Sequence, residues 1–182
     1  IVSSKEAKNI EPNVKCHSAL WVPSSGIMDS HKIMQRLEYN FISHDGIISY
    51  NTKVDNIDWK NRKYIIETNE KDKVEAKILI NAAGLWSENI YNLLSLKKNK
   101  IYYCKGDYYK TNRYKNLNCL IYPVPSKISL GIHTVLQLNG DVLFGPNAYY
   151  IDNIDYSIDD SNKEFFLKNI VKYLDINKED IR

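Results

Sequence analysis

The residue best suited to acid–base chemistry in this sequence is His133, which lies within Gly131-Ile132-His133-Thr134. A neutral imidazole can accept a hydroxyl proton near neutral pH, so His133 is a candidate general base. The segments Tyr122-Pro123-Val124-Pro125 and Gly145-Pro146-Asn147-Ala148 mark strand ends around the same predicted hairpin, where pockets form over a sheet. A histidine inside a strand can equally have a purely structural role, and both interpretations stay open.

Cationic and phenolic side chains meet in the short stretch Lys105-Gly106-Asp107-Tyr108-Tyr109. Lys105, or Arg113 a little further along, could pair with the carboxylate of a substrate, because charge-assisted hydrogen bonds are the strong ones. Either residue could equally be an ordinary surface charge. The stretch therefore predicts a substrate-binding segment only if other features place a site beside it.

Three small residues, Ala82-Ala83-Gly84, separate a predicted strand from a predicted helix. Small residues at such a junction let another molecule approach the backbone closely. We expect Ser87 to cap the helix, whose first N–H groups favour an anion such as a pyrophosphate. The alternative is a tight turn chosen for packing. Neither a G-x-G-x-x-G fingerprint nor a phosphate-binding Walker loop occurs in the sequence.

Composition excludes several classes of function. The 25 basic and 22 acidic residues leave a net charge of +3, and they alternate along the chain, which argues against a nucleic-acid-binding protein. Three cysteines without a CxxC pair predict neither a disulfide framework nor a metal site, and they favour a reducing, cytoplasmic compartment. No apolar run is long enough to span a bilayer, so we expect no transmembrane segment.

The elements that must position these residues form a mixed pattern. Apolar residues at helical spacing from Ile33 to Phe41 predict a helix with a buried stripe. Three short strands are predicted over 47–57, 63–68 and 74–80, and the last is expected to be buried on both faces. Asn139-Gly140 predicts a type I′ hairpin turn. The predicted fold class is α+β with mostly antiparallel strands and flanking helices.

Taken in order, seven stretches resemble the L-2-hydroxyglutarate dehydrogenase/oxidase branch of the D-amino-acid-oxidase-like, FAD-dependent oxidoreductases, which are related to glycerol-3-phosphate dehydrogenases. These stretches are Glu11-Pro12-Asn13-Val14, the run from Ala19-Leu20-Trp21-Val22-Pro23 to Ser30, Ile80-Asn81-Ala82-Ala83-Gly84-Leu85-Trp86-Ser87, Lys105-Gly106-Asp107-Tyr108-Tyr109, Leu120-Ile121-Tyr122-Pro123-Val124-Pro125, Leu130-Gly131-Ile132-His133-Thr134 and Gly145-Pro146-Asn147-Ala148.

The resemblance implies a division of the chain into two functional domains. Residues 11–41 and 102–174 would form a substrate-binding domain on a large, mostly antiparallel sheet, and 47–96 would form part of an FAD-binding domain with a three-stranded meander. Val54 would lie near the adenine of FAD. Ala82, Ala83, Gly84 and Ser87 would approach its adenosine or pyrophosphate.

The chemistry implied by the resemblance is oxidation of a small 2-hydroxy acid by hydride transfer to flavin. His133 would be the base, Tyr122 a catalytic partner, and Tyr108, Lys105 and Arg113 the substrate-binding residues. Glycerol 3-phosphate and an amino acid are alternative substrates. If electrons pass to a quinone, the protein would work at the periphery of a membrane.

The family's N-terminal dinucleotide loop and C-terminal FAD segment have no counterpart in the sequence. We therefore expect weak or no FAD binding by this chain alone, with the remaining FAD-binding parts either elsewhere in the gene or on a separate polypeptide. The alternative is a folded remnant or split-gene product without enzymatic activity.

Overall fold

The computed structural model describes residues 1–94, 99–125 and 130–182 of the chain. These residues divide into two compact units. The first unit comprises Ile1–His31 and Cys104–Arg182, and the second unit comprises Lys32–Tyr103. Residues 95 and 96, at the end of the predicted 47–96 domain, lie outside the described ranges.

The fold class is α+β, as predicted. In chain order the elements are β1 (Val2–Ser3), α1 (Ser4–Ile10), β2 (Ser18–Ala19), α2 (Ser30–Ser43), β3 (Val54–Lys60), β4 (Lys63–Thr68), β5 (Lys73–Ala76), α3 (Ser87–Leu94), β6 (Tyr103–Lys105), β7 (Tyr109–Thr111), β8 (His133–Leu136), β9 (Val142–Gly145), β10 (Tyr149–Ile151) and α4 (Lys163–Ile170). The described strands form two sheets of two strands, β1–β2 and β10–β6, and two sheets of three strands, β3–β4–β5 and β7–β9–β8.

The core of the first unit lies between the β7–β9–β8 sheet and α4. Val142 and Phe144 of β9 and Phe166 and Ile170 of α4 are fully buried. Tyr109 packs edge-on against Phe166, with ring centroids 4.7 Å apart. Burial of each large apolar side chain of this kind stabilises the fold by about 1.5–3 kcal/mol. This layered core holds the sheet that carries His133.

The chain's last residues add to the same sheet. Lys110 and Arg182 exchange two backbone hydrogen bonds of 2.8 and 2.9 Å. Ile181 bridges antiparallel to Thr111 and is 1% exposed. The edge of β7 is therefore covered, and its register against β9 is stabilised from both sides.

The predicted hairpin is present, but its turn is not of type I′. A type I′ turn needs positive φ at both central residues, and of Asn139 and Gly140 only Gly140 has one (83°). The Gly140 N–H donates to the Gln137 carbonyl at 2.9 Å, and the Gln137 N–H donates to the Asp141 carbonyl at 2.8 Å. This pattern is a tight turn followed by a left-handed glycine, so the loop has three residues instead of two.

The second unit contains the predicted meander. Strands β3, β4 and β5 pair antiparallel in sequence order, and α3 packs against β3. The middle strand β4 has the predicted bounds, whereas β3 begins only at Val54 and β5 ends already at Ala76, so these two are shorter than predicted. The run 78–80 follows β5 without strand structure, and Ile78 and Ile80 are about four-fifths exposed (78% and 81%). The prediction of a strand buried on both faces is wrong for the described chain.

The predicted helix over Ile33–Phe41 is present as α2, but its apolar stripe is not buried. Met34 and Leu37 are more than half exposed, and no residue of α2 is buried. Helical spacing shows that one face of a helix is apolar, but not that a second surface covers that face. Across the described residues, no helix is long and apolar enough to cross a membrane.

Candidate active site

His133 begins β8 and pairs with Gly145 across the sheet. It is almost buried, and its ring stacks on that of Tyr122 with centroids 4.3 Å apart and planes 17° apart. Tyr122 is about half exposed. The stacked pair therefore has a buried imidazole and a phenol that reaches the surface, which is the arrangement expected at the wall of a pocket.

Tyr108 joins this pair through Gly145. A Cβ built on Gly145 would lie only 2.5 Å from Tyr108 Cδ1, so the glycine leaves the space that the tyrosine ring occupies. Burial raises the pKa of the Tyr108 hydroxyl, and the neighbouring Tyr122 raises it further. A phenol with a raised pKa stays protonated at neutral pH and can donate a hydrogen bond. We call Tyr108, Tyr122 and His133 the ring cluster.

The orientation of the His133 ring follows from one backbone contact. Nδ1 lies 3.0 Å from the Gly131 carbonyl oxygen. A carbonyl can only accept a hydrogen bond, so Nδ1 carries the proton and Nε2 of the neutral ring keeps its lone pair. The imidazole is thus held in the tautomer that can accept a proton at Nε2.

The two motif segments beside the cluster are joined by a polar clamp. Asn147 Oδ1 accepts from the Asp107 backbone N–H at 2.6 Å, and Asn147 Nδ2 donates to Asp107 Oδ2 at 3.1 Å. A Cβ on Gly106 would lie 2.7 Å from Pro146 Cβ, so the two backbones approach as closely as they do because residue 106 is glycine. The clamp fixes the backbone on which Tyr108 is mounted.

Lys105 is engaged within the protein. Its ammonium donates to Asp155 Oδ2 at 3.0 Å and to the Ser157 carbonyl at 2.6 Å, and its side chain is 11% exposed. The hydrogen bond to Asp155 raises the pKa of Lys105. A substrate carboxylate at this ammonium would have to replace Asp155.

Arg113 lies at the other end of β7 from Tyr108. Along β7, Tyr109 pairs with Phe144 and Thr111 with Val142, so the chain runs away from Gly145 and His133 as it approaches Arg113. The strand carries the chain about 7 Å along the sheet from Tyr109 to Thr111 before it bends at residues 112 and 113. Arg113 instead faces Asp180, with Nη1 3.6 Å from Oδ2. The structure brings together three of the five predicted residues of the first unit and leaves Arg113 apart from them.

The predicted cofactor-binding residues lie in the second unit. Val54 is the first residue of β3, against which α3 packs. Gly84 has a positive φ of 56°, and nothing lies within 4 Å of the position that its Cβ would occupy. The small, open backbone from Ala82 to Gly84 therefore fits the close approach of a nucleotide.

Ser87 does not cap α3 as expected. Its backbone is helical (φ −62°, ψ −28°), because a short 3₁₀ turn over Gly84–Trp86 leads directly into the helix. Asn81 has a related role instead: its Oδ1 accepts from the Ala83 N–H at 3.3 Å, and its Nδ2 donates to the Ser87 carbonyl at 2.8 Å. An asparagine two residues before the turn was the available signal, since such side chains bond their own backbone two residues on.

Comparison with known proteins decides the family. The family model described as "DAO: FAD dependent oxidoreductase" matches residues 1–182. The chain belongs to this FAD-dependent oxidoreductase family. The resemblance drawn from the ordered motifs is therefore confirmed.

Several members of the family that are similar to this chain are L-2-hydroxyglutarate dehydrogenases. The protein of that name from Escherichia coli (strain K12) is 31% identical over 153 residues, which cover 81% of this chain and 36% of that protein. The mitochondrial L-2-hydroxyglutarate dehydrogenase of Arabidopsis thaliana is 28% identical, with 92% of this chain and 44% of that protein covered. A glycerol 3-phosphate dehydrogenase of Caloramator mitchellensis is 28% identical and is covered over 32% of its length. The chain thus spans less than half of the length of these relatives.

Two solved structures share the fold. Glycine oxidase from Geobacillus kaustophilus superposes with a TM-score of 0.74 at 17% identity, over 95% of this chain and 45% of that one. L-proline dehydrogenase from P. horikoshii superposes with a TM-score of 0.64 at 16% identity, over 97% of this chain and 50% of that one. At this identity the likeness establishes the fold and not the substrate.

Proposed function

We propose that this chain supplies the substrate-side groups of an FAD-dependent dehydrogenase that oxidises a small 2-hydroxy acid resembling L-2-hydroxyglutarate. The observation that carries the proposal is the ring cluster: a nearly buried imidazole, protonated at Nδ1, that stacks on Tyr122, with Tyr108 next to Tyr122. Its support from relatives is the similarity to several L-2-hydroxyglutarate dehydrogenases.

In the proposed reaction, Nε2 of His133 accepts the proton of the substrate hydroxyl, and the ring becomes an imidazolium. The Gly131 carbonyl accepts the hydrogen bond from Nδ1–H and stabilises that charge. The hydroxyls of Tyr122 and Tyr108 donate to substrate oxygens and orient the carbon that loses its hydrogen. Bound FAD would supply the hydride acceptor that the oxidation of a 2-hydroxy acid to a 2-oxo acid requires.

For the substrate carboxylate we keep Lys105 as the proposed cation and not Arg113. Lys105 precedes the segment that carries Tyr108, and its ammonium can exchange Asp155 for another carboxylate. Arg113 stands at the far end of β7, so it would bind an anion elsewhere.

The groups proposed to hold FAD are Val54 and the open backbone at Ala82, Ala83 and Gly84, with Ser87 in the first turn of α3. They would contact the adenosine and pyrophosphate side of the cofactor. The sequence has no G-x-G-x-x-G fingerprint, and we propose that a segment with that motif, in the same protein or on a separate polypeptide, completes the site.

Single-turnover reduction of bound flavin tests the proposed base. In a complete version of the protein that holds FAD, His133→Gln is expected to slow reduction by L-2-hydroxyglutarate by about 10²–10⁴-fold, the usual loss when a general base is removed. His44→Gln, at an exposed histidine, is the matched control and should leave the rate unchanged. Unchanged reduction in His133→Gln would remove His133 from the mechanism.

A binding measurement tests the site without turnover. Titration with L-2-hydroxyglutarate should shift the imidazole proton resonances of His133, and Tyr122→Phe should weaken binding by about five- to tenfold through the loss of one hydrogen bond. Tyr156→Phe, at a tyrosine that is 80% exposed, serves as the control. A titration that leaves the His133 resonances in place would contradict the site.

Gel filtration of the chain with FAD tests the cofactor proposal. We expect no stoichiometric flavin absorbance in the protein fraction, whereas ADP in excess should shift the amide resonances of Val54 and Gly84. A stoichiometric flavin spectrum would show that the chain binds FAD alone. If ADP shifted residues scattered over both units equally, the proposed adenosine contacts would be wrong.

A further inference from the structure

The first unit has two adjoining open depressions that play no part in the proposed reaction, with volumes of about 320 and 590 Å³. Lys8 and Lys15 line both of them. We call the combined surface the basic basin. Its cationic and imidazole side chains are Lys8, Lys15, His17, Arg113, Lys115 and Lys172.

The basin gathers more cationic side chains than carboxylates. Ion pairs such as Lys63–Glu75 and Lys178–Glu164, with distances of 2.7 and 2.8 Å, occur elsewhere in the chain. Of the basin's cations, Lys15 and Arg113 also face carboxylates, those of Asp175 and Asp180. In the basin, Lys8 forms no ion pair with any described residue, and Lys172 donates to the neutral Asn169 amide oxygen at 2.9 Å. Since the whole chain carries a net charge of only +3, this is a local concentration of positive charge.

One carboxylate from the described residues lines the basin. Asp175 Oδ1 lies 2.8 Å from Lys15 Nζ, and the pKa of Asp175 is lowered mainly by this contact, with Arg113 adding to the effect. The Asp175 carboxylate therefore already occupies part of the positive field. An incoming anion with a higher charge would exchange with it at Lys15.

The walls of the basin are held by backbone contacts. The Lys15 N–H donates to the Tyr173 carbonyl at 2.8 Å, and the Tyr114 hydroxyl donates to the Asp175 carbonyl at 2.6 Å. At the start of α1, Ser3 and Glu6 form a reciprocal capping box that stabilises the helix carrying Lys8. The cations thus project from separate, anchored segments and converge on one concave surface.

We propose that the basic basin is a binding site for a small, multiply charged anion, such as an organic phosphate or a tricarboxylate. A concave surface of this volume suits a small ligand, and several ammonium groups on separate segments suit a ligand with two or more negative groups. Arg113 belongs to this site, where it binds an anion remote from the ring cluster.

Calorimetric titration of the purified chain at low ionic strength, with pyrophosphate and with citrate as probes, tests the basin. Saturable binding of either probe is expected, and Lys8→Gln with Lys172→Gln should weaken it by about tenfold or more, since each lost contact is charge-assisted. Lys71→Gln with Lys73→Gln removes the same charge from the second unit and should change the affinity by less than about twofold.

A gain-of-binding variant makes the test sharper. Asp175→Asn removes the competing carboxylate while its backbone carbonyl can still accept from Tyr114, so affinity should rise by several fold. Binding of both probes, or of one, supports the site and identifies its preferred charged group. Equal losses in the two lysine pairs, the absence of saturation, or binding to anionic vesicles that neither probe displaces would overturn the proposal.

Discussion

The two units of this chain differ in how completely they bury their apolar residues. In the first unit, sheet and helix layers enclose residues such as Val142, Phe166 and Leu174, all at 0% exposure. In the described part of the second unit only Ile57 and Thr68 are buried, while α2 and the run 78–80 leave apolar side chains exposed. The first unit therefore has a closed hydrophobic core. The second is a meander with two helices, and many apolar side chains of its described residues are exposed.

This difference in burial indicates which unit can hold side chains in a fixed catalytic geometry. A precise ring cluster needs a scaffold that fixes side chains, and the first unit provides one through its packed sheet. The second unit offers a backbone that a nucleotide can approach, yet few buried contacts support that backbone. We therefore expect the side chains of the first unit to be held in place before a ligand binds. In the second unit we expect the backbone to become ordered when a ligand binds.

The largest expected effect is the loss of stability when a large side chain is removed from the hydrophobic core of the first unit. Phe166→Ala should destabilise the first unit by about 3–5 kcal/mol, because it opens a cavity at a fully buried ring. Phe41→Ala, at a ring that is 51% exposed in α2, should cost less than about 1 kcal/mol. Denaturant unfolding followed by amide exchange in each unit measures both. Equal costs would remove the contrast between the units.

A smaller effect is expected at the glycine that makes room for Tyr108. Gly145→Ala would bring a Cβ to 2.5 Å from the Tyr108 ring and 2.7 Å from the Asp107 carbonyl oxygen. We expect a loss of about 1–3 kcal/mol and a displaced Tyr108, since crowding a packed site forces the backbone to shift. Gly26→Ala, with nothing within 4 Å, is the control. A crystal structure of Gly145→Ala with Tyr108 in place would contradict the packing account.

The smallest expected effect is on the local stability of the loop that contains Asp155 and Ser157, which both accept hydrogen bonds from Lys105. Donation from Ser157 and then from Lys105 lowers the pKa of Asp155 to about 2 from its ordinary 3.8. Because the folded pKa is depressed, the stabilisation is present above about pH 3.8 and is lost as the pH falls towards 2. Amide exchange at Ser157 should therefore quicken over that interval. Between about pH 5 and 8 no change is expected from this group.

Asp155→Asn should quicken Ser157 exchange already at neutral pH and abolish its acid dependence. Asp152→Asn, earlier in the same loop, should do neither. If the acid dependence survived in Asp155→Asn, a carboxylate other than Asp155 would hold the loop. The proposal that a substrate carboxylate replaces Asp155 at Lys105 would then lose its support.

Much of the local structure followed from residue patterns. Helical periodicity predicted α2, and short strands separated by turn-like links predicted β3, β4 and β5, because both patterns depend on neighbours a few residues apart. The pairing of these strands as a meander was implied by the family resemblance. The hairpin was also expected, but its turn was not: Asn139-Gly140 suits a two-residue loop, whereas the observed register adds one residue with Gly140 in the left-handed region. A one-residue shift in register changes which side chains of a strand face the core. The register, and with it the loop length, is therefore set by burial and not by the turn preference of a dipeptide.

The candidate site shows the same limit. Motif order indicated His133, Tyr122 and Tyr108 separately, since each lies in a segment typical of the family. The stacking of Tyr122 on His133 and the close packing of Tyr108 against Gly145 depend on pairing across β8 and β9. Arg113 could not be separated from Lys105 by side-chain chemistry alone, because both are cations near the same motif.

By itself, the sequence determined the family, the α+β class and the residue types available for proton transfer and anion binding, because these depend on composition and local order. Only the tertiary structure decided which of those residues meet. In that structure Tyr108 lies beside Gly145, Lys105 pairs with Asp155, and Arg113 lines the basic basin. Contacts between residues far apart in the chain depend on register and packing, and no local pattern encodes either.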